Sequence, residues 1–490
     1  MNHTASATPS PGSGQRPARP APHAPPADSS TEGKLGLIRM AAEKEPVGDG
    51  PERFFARTGV DPLSGAFERK TVVHAGMGGK PLQGEAALGL YEELMDRERT
   101  GKCAAYVHVP FCETHCLYCG FYSSPYRKDH SAPYVDALLG ELEAERGRAA
   151  LRGGPVHALY LGGGTPTALE PEDLRRLVKG LREGLPLAND CEITVEGRVH
   201  GFSAEKMAAC LEAGANRFSL GVQTFDTEIR RSLGRVAGRE EVLETLRRLR
   251  DHDNAAVVID LIYGLPGQGV DAWERDLETF LSLELDGCDL YQLNVFPGGR
   301  LDKAIQSGAA KPAADVAGQA ELFRRGVETM NRHRLRRLSI SHWGRTSRER
   351  NIYNPLMKRR SDCLAYGAGA GGSLGGAFYF VQSGYEPYMD ARAQGRKPVV
   401  MAMLPPRGAA MSRCLTGQLE AGTLDLARVA AETGEDAAVF EPLLGQWAEA
   451  GLLTREGNLL ELTLAGQFWQ VTMTQALIDW HQHQSMEHSA

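Results

Sequence analysis

Short apolar runs alternate with longer amphipathic segments from about residue 100 onward. This alternation is typical of βα units, in which helices connect parallel strands. The predicted strands are Ala105 to Val109, Ala158 to Leu161, Ile193 to Glu196, Arg217 to Val222, Val257 to Ile262 and Leu290 to Val295. The predicted helices are Tyr134 to Arg146, Pro171 to Leu185, Ala204 to Ala213, Arg239 to Arg250 and Ala272 to Leu283. Six units are too few for the closed eight-stranded barrel, so we expect an α/β fold with an open (β/α)6 partial TIM barrel.

The barrel is assigned to residues 101–300. Residues 1–45 are rich in Pro, Ala and Ser and are expected to be a disordered tail. Residues 46–100 are an N-terminal segment that ends in a predicted helix, Glu85 to Arg97. The sequence thus places two smaller segments ahead of the barrel.

Residues 301–400 are predicted to extend the barrel, with a helix near Ala317 to Asn331, a strand near Leu338 to Ser341 and a glycine-rich loop, Gly367 to Gly376. Residues 401–490 form a C-terminal module. A helix around Leu424 to Ala430, a second from Val439 to Ala450 and a hairpin turn at Glu456-Gly457 make this module resemble a winged helix.

Composition narrows the choice of partners and compartment. The chain has 490 residues, with 55 basic and 62 acidic side chains and no extended basic block, which argues against a nucleic-acid partner. Nine cysteines, three of them clustered, do not suggest a disulfide framework, so a reducing cytoplasm is expected. No run of 18 apolar residues is present, so no membrane span is expected.

Three cysteines follow the first predicted strand with the spacing CxxxCxxC: Cys112, Cys116 and Cys119. Three thiolates can hold a [4Fe–4S] cluster and leave one iron open to an outside ligand. In radical chemistry that ligand is S-adenosylmethionine. A zinc site completed by His115 and a redox pair formed by Cys116 and Cys119 are the alternatives.

Polar groups stand at the ends of the next four predicted strands. A turn without side chains, Gly162-Gly163-Gly164, follows the second strand, and Glu196 ends the third. Gln223 follows the fourth strand, and Asp260 lies on the fifth. Because the carboxyl ends of parallel strands share one edge, we expect these groups around the cysteine loop.

The motifs YVHVPFC, CxxxCxxC, GGGTPT, Glu196, GVQ, Arg235, Asp260 and YGLPGQ resemble, in order, the radical SAM enzymes of the oxygen-independent coproporphyrinogen oxidase (HemN) type. The resemblance covers about residues 100–475 and implies a radical SAM partial barrel with a [4Fe–4S] cluster and two S-adenosylmethionine molecules. It implies Tyr106, Gly163 and Glu196 as contacts of the first molecule. For the second it implies Tyr118, Gly164, Thr165, Gln223, Arg235 and Asp260.

Departures from the motifs indicate a subgroup. The oxidase reads CxxxCxxCxC, but Phe121 stands at the place of its fourth cysteine. The heme-trafficking HemW branch has HNxxYW where this chain has Arg350-Asn351-Ile352-Tyr353-Asn354-Pro355. Four segments instead resemble the HutW/ChuW group of anaerobic heme-degrading methyltransferases: CETHCLYCGFY, Val195 to Arg198, Ser341 to Arg345 and Gly367 to Gly372.

That resemblance implies an enzyme that methylates heme and opens its ring without oxygen, releasing iron. It further implies a flavodoxin-like or other low-potential electron donor. His342 and Trp343 are the candidate heme contacts, because they offer an imidazole and a large aromatic face. A heme carrier of the HemW type and a coproporphyrinogen III oxidase-like enzyme remain the alternatives.

Overall fold

The computed structural model describes residues 50–70, 74–76 and 78–487. The tail predicted for residues 1–45 lies outside them. In the described part of the chain, no helix combines the length and apolarity needed to cross a bilayer.

Six adjacent parallel strands form the barrel, and they follow one another in the sheet in chain order. They are β1 (Cys103–Val109), β2 (Val156–Gly163), β3 (Leu187–Arg198), β4 (Arg217–Gln223), β5 (Ala256–Tyr263) and β6 (Gly287–Gln292). The helices between them are α1 (Ser131–Glu145), α2 (Pro171–Gly184), α3 (Ala204–Ala213), α4 (Arg239–Asp251) and α5 (Val270–Leu283), with short helices at Ala149–Arg152 and Thr227–Ser232. The predicted α/β partial barrel is confirmed.

The strands alternate between two buried faces. On β1, Val107 and Val109 point outward into the hydrophobic core beneath the helices, whereas the Tyr106 ring stacks on Tyr160 of β2 inside the barrel. Covering both faces makes the strands buried almost throughout, as parallel sheets require. Strand β6 was expected at Leu290 but begins at Gly287, because a glycine and the buried Asp289 interrupt its apolar pattern.

In the described part of the chain, the sheet continues beyond both barrel edges to a total of 13 strands. Beside β1 lie Asp362–Tyr366, which is parallel to it, and then Gly371–Leu374, Ala377–Val381, Val399–Leu404 and Lys80–Gln83. Beside β6 lie His342–Gly344 and Arg336–Arg337, with helix α6 (Val316–Arg332) preceding them. The helix expected over Glu85 to Arg97 spans Gly84–Met95.

Two expectations for the barrel extension were wrong. Residues 338–341 form the turn between the last two strands rather than a strand, and the Leu338 amide donates to the His342 carbonyl at 2.9 Å. Four of the ten residues of the predicted glycine-rich loop form the strand Gly371–Leu374, in which a Cβ on Gly372 would come 2.4 Å from the Tyr379 ring. Gly372 is therefore explained by the close packing of two paired strands, and not by the flexibility of a loop.

The C-terminal module has the expected helices and hairpin. Its elements are the helices Ala409–Leu419, Leu426–Thr433, Glu441–Glu449, Leu464–Phe468 and Gln470–Glu487, the 3-10 turn Ala437–Phe440, and the strands Thr423–Asp425, Leu453–Glu456 and Leu459–Leu462. Leu424 lies in a strand, because Asp425 caps the following helix through the Ala427 and Arg428 amides. The winged-helix resemblance stays a prediction.

The leading segment is held against this module. The Gln446 side chain accepts from the Ala56 amide at 2.8 Å and donates to its carbonyl at 2.7 Å, and Trp447 Nε1 donates to the Phe54 carbonyl at 3.1 Å. The two ends of the described chain therefore pack together on one side of the barrel.

Candidate active site

The cysteine loop starts where β1 ends. Pro110, which has no amide hydrogen to continue a ladder, follows β1, and Phe111–Cys112 then pairs with Ser124–Pro125. The Ser124 amide donates to the Pro110 carbonyl at 3.1 Å, and the Tyr126 amide donates to the Cys112 carbonyl at 3.0 Å. These bonds close the base of the loop that carries all three cysteines.

Each sulfur of the loop has a hydrogen-bonding partner. Cys116 Sγ accepts from Arg198 Nη2 at 2.9 Å, and Cys119 Sγ accepts from the Phe121 amide at 3.3 Å. Cys112 Sγ lies 3.3 Å from the Thr165 hydroxyl. Donors aimed at sulfur stabilise thiolates, the form that binds iron.

The other cysteines are bonded differently. Four of the six have sulfurs that donate to a backbone carbonyl, as a protonated thiol does: Cys103, Cys191, Cys288 and Cys363. Burial raises the pKa of Cys112, and it raises that of Cys119 to about 11. Binding of a metal would therefore release protons from the loop.

A mononuclear zinc site finds no support in the geometry. Within the residues that the structure describes, no three His, Cys, Asp or Glu side chains converge as ligands of one ion do. The His115 ring stacks on Tyr122 at a centroid distance of 4.1 Å. A [4Fe–4S] cluster does not require such convergence, because each thiolate binds a different iron.

The glycine turn lies between β1 and Glu196. Gly163 has a φ of +110°, which favours glycine, and its amide donates to Glu196 Oε2 at 3.3 Å. A Cβ on Gly164 would come 2.6 Å from the Phe111 carbonyl oxygen, so only glycine fits beside the cysteine loop. The turn is therefore wedged between the loop and a buried carboxylate.

Tyr106 stands on the same inner face. Its hydroxyl lies 3.0 Å from His108 Nδ1, and burial, together with the nearby Glu196, raises its pKa. Burial and the charge of Asp260 raise the pKa of Glu196 to about 8. The structure thus gathers Tyr106, Gly163 and Glu196 into one group at the ends of β1, β2 and β3.

A second group lies at the end of β4. Arg235 Nη1 donates to the Tyr118 hydroxyl at 2.8 Å, and its Nη2 donates to the Gly221 carbonyl. Gln223 has a φ of +69°, unusual for a residue with a side chain, and its buried Oε1 has no hydrogen-bond partner in the described residues. A strained backbone and an orphaned polar atom are typical of a site shaped for a ligand.

Asp260 lies between the two groups, next to buried acids. It accepts from the Ser219 hydroxyl at 3.4 Å, and its neighbour across the strands is Asp289. Burial, and then the charge of Asp289, raise the pKa of Asp260 to about 7.

His342 and Trp343 do not lie where heme contacts were expected. His342 is fully buried, with Nδ1 2.8 Å from Asp289 Oδ2 and Nε2 3.0 Å from Glu349 Oε1, so both ring nitrogens are engaged. Trp343 is 1% exposed and lies under the Arg337 guanidinium on the opposite face. That prediction is therefore corrected: the two residues are interior packing and charge partners.

Glu349 continues the interior charge network. Its Oε2 lies 2.9 Å from Arg217 Nε, and both side chains are buried. Burial opposes ionisation of Glu349, but Arg217 and His342 outweigh it and lower the pKa to about 2. Burial likewise opposes the charge on His342, but Asp289 and Glu349 raise its pKa to about 9. The interior of the barrel is therefore a chain of paired charges.

Sequence reasoning missed several of these residues. Arg198 and His108 each follow a predicted site residue by two positions on the same strand face, so strand periodicity offers a signal for both. Glu349 and Asp289 offered none, because Glu349 lies on an irregular segment and the register of β6 was misplaced.

Comparison with known proteins identifies the family of the chain. The model of the radical SAM superfamily matches residues 106–280. The anaerobilin synthase of Escherichia coli O157:H7 is 39% identical over 88% of this chain and 93% of its own length. The chain belongs to the radical SAM superfamily. Its family cofactors are a [4Fe–4S] cluster and S-adenosylmethionine.

Two further matches are more distant relatives of this chain. The heme chaperone HemW of Bacillus subtilis is 31% identical over 56% of this chain and 71% of its own length. The solved structure of coproporphyrinogen III oxidase (HemN) from Escherichia coli has a TM-score of 0.68 at 21% identity, covering 84% of this chain and 96% of that chain. The last match bears on the fold alone.

Replacing Glu349 with Gln should destabilise the protein, because Arg217 and His342 would keep buried charges without their partner. We expect the free energy of unfolding to fall by about 3–5 kcal/mol. The matched control is Glu441→Gln, which breaks an exposed pair with Arg455 and should cost about 0–1 kcal/mol. Urea denaturation measures both, and equal losses would contradict a buried network.

Proposed function

We propose that this protein is a radical SAM methyltransferase that methylates heme and opens the porphyrin ring anaerobically, releasing iron. The observation that carries the proposal is the 39% identity to anaerobilin synthase over 93% of that enzyme. The motifs around Cys112, Glu196 and His342 support it, because they resemble the heme-degrading group rather than the oxidase or the carrier.

The cysteine loop is proposed to hold the cluster through Cys112, Cys116 and Cys119. When bound, the cluster and S-adenosylmethionine supply the radical and methyl-transfer chemistry. Tyr106, Gly163 and Glu196 are proposed to orient a first S-adenosylmethionine. The Gly163 amide holds one oxygen of the Glu196 carboxylate at 3.3 Å, and the other oxygen is the proposed acceptor for the cofactor.

A second S-adenosylmethionine is proposed at the group around β4. Arg235 and Tyr118 supply a charged donor and a hydroxyl, and Gln223 supplies its unpaired Oε1. Gly164 and Thr165 complete the side next to the cysteine loop. Two cofactor molecules would thus share one cluster loop between them.

Heme is proposed to enter at the open mouth of the barrel. With His342 and Trp343 in the interior, the exposed aromatic side chains near the strand ends are Phe121, which is 63% exposed, and Tyr291, which is 39% exposed. Phe121 directly follows the cluster loop, and Tyr291 lies at the end of β6. Flat apolar rings suit contact with a porphyrin face.

Electrons are proposed to come from a flavodoxin-like or other low-potential donor, in the reducing cytoplasm that nine unpaired thiols favour.

Anaerobic incubation with heme, S-adenosylmethionine and a reductant tests the activity. We expect loss of the heme Soret band, release of iron and a methylated linear tetrapyrrole by mass spectrometry, with no decarboxylation of coproporphyrinogen III. The control omits S-adenosylmethionine and should leave the Soret band intact. Stoichiometric heme binding with an unchanged spectrum in the complete mixture would instead indicate a heme carrier.

Variants of Gln223 and Asp260, both assigned to the second S-adenosylmethionine, test whether the two cofactor molecules occupy separate positions. Gln223→Ala and Asp260→Asn should lower methylated product about tenfold or more, since a hydrogen bond to a charged group contributes about 1.5–3 kcal/mol. Formation of 5′-deoxyadenosine should fall much less. Asp253→Asn, at an exposed ion pair with Arg348, is the control. Equal loss of both products in the two site variants would contradict separate cofactor positions.

A further inference from the structure

Arg198 is held rigidly beside the cysteine loop. It is the last residue of β3, on the same face as Glu196. Its amide donates to the Thr167 hydroxyl at 3.3 Å, and a Cβ on the preceding Gly197 would come 2.5 Å from the Thr167 methyl carbon. The glycine lets the end of β3 pack directly on Thr167, which fixes where the Arg198 side chain starts.

The guanidinium of Arg198 binds the loop at two places. Nη1 donates to the Thr114 carbonyl at 3.0 Å and to the Thr114 hydroxyl at 2.8 Å, while Nη2 donates to Cys116 Sγ at 2.9 Å. The planar fork of arginine makes such simultaneous contacts possible, whereas the single ammonium of lysine cannot reproduce them. One side chain therefore contacts both the loop backbone and a cluster sulfur.

A second guanidinium faces the same sulfur. Arg235 Nη1 lies 3.7 Å from Cys116 Sγ, and the side chain is 7% exposed. The partners of the other two sulfurs are neutral, a hydroxyl at Cys112 and an amide at Cys119. Cys116 is thus the sulfur of the loop that meets positive charge at hydrogen-bond distance.

Adding an electron to a cluster with three thiolates makes it more negative, so a nearby positive charge stabilises the reduced form. Hydrogen bonds to the sulfurs and net charge are recognised controls on cluster potential. We propose that Arg198 is a positioning residue of the cluster: it fixes the CxxxCxxC loop and raises the cluster's reduction potential through Cys116. This proposal rests on the family's cluster and does not depend on heme as substrate.

EPR-monitored redox titration of the anaerobically reconstituted protein, without heme or S-adenosylmethionine, tests the proposal. Arg198→Met removes the charge and should lower the reduction equilibrium constant at least about tenfold, which for one electron is about 59 mV. Arg198→Lys should shift the potential less. Arg198→Gln, which keeps an amide donor but no charge, should retain four irons and shift the potential as the Met variant does.

Lys206→Met is the matched control, because Lys206 donates to the Thr167 and Ala168 carbonyls beside the loop without touching sulfur. Its potential should stay close to that of the wild type. An Arg198→Met protein that retains four irons and has the wild-type reduction potential would overturn the proposal. If that variant also bound S-adenosylmethionine more weakly, Arg198 would be a contact of the cofactor instead. Failure of both the Met and Gln variants to retain four irons would also overturn it, leaving Arg198 as a loop clamp.

Discussion

Parallel strands bring all their carboxyl ends to one edge of the sheet, and every group of the candidate site depends on that constraint. The cysteine loop leaves β1, the glycine turn leaves β2, and Glu196 and Arg198 end β3. Separated by many residues in the chain, these groups meet within hydrogen-bond distance because their strands are neighbours. Hydrogen bonds then fix the cysteine sulfurs, the glycine turn and the Glu196 carboxylate in place.

The interior of the barrel below these strand ends contains several buried charged side chains. Asp260, Asp289 and Glu349 are acids in a space with little solvent, and Arg217 and His342 stand between them. Glu349 comes from a segment that follows the barrel, so the extension is part of the interior and not an appendage. His342, on the strand beside β6, joins this network because its ring nitrogens contact Asp289 and Glu349.

Sequence reasoning found the barrel and the cysteine loop because both have strong local signals. Apolar runs separated by amphipathic helices mark βα units, and CxxxCxxC after a strand marks a cluster loop. It failed for His342 and Trp343 because a histidine next to a tryptophan reveals nothing about which face of a strand is enclosed. Only Asp289 on one side and Glu349 on the other show that the imidazole is already occupied. Arg198 was missed although it stands two residues after Glu196, because its contact with Cys116 joins residues that are far apart in the chain.

The central claim is that Cys112, Cys116 and Cys119 hold a four-iron cluster with one iron open to S-adenosylmethionine. Mössbauer spectroscopy of ⁵⁷Fe-reconstituted protein tests it most directly, with Cys414→Ala as a control outside the loop. We expect a [4Fe–4S] spectrum in which S-adenosylmethionine alters one iron of four. This spectrum should be retained in Cys414→Ala and lost in Cys116→Ala. A spectrum that S-adenosylmethionine leaves unchanged, or a full cluster in Cys116→Ala, would contradict it.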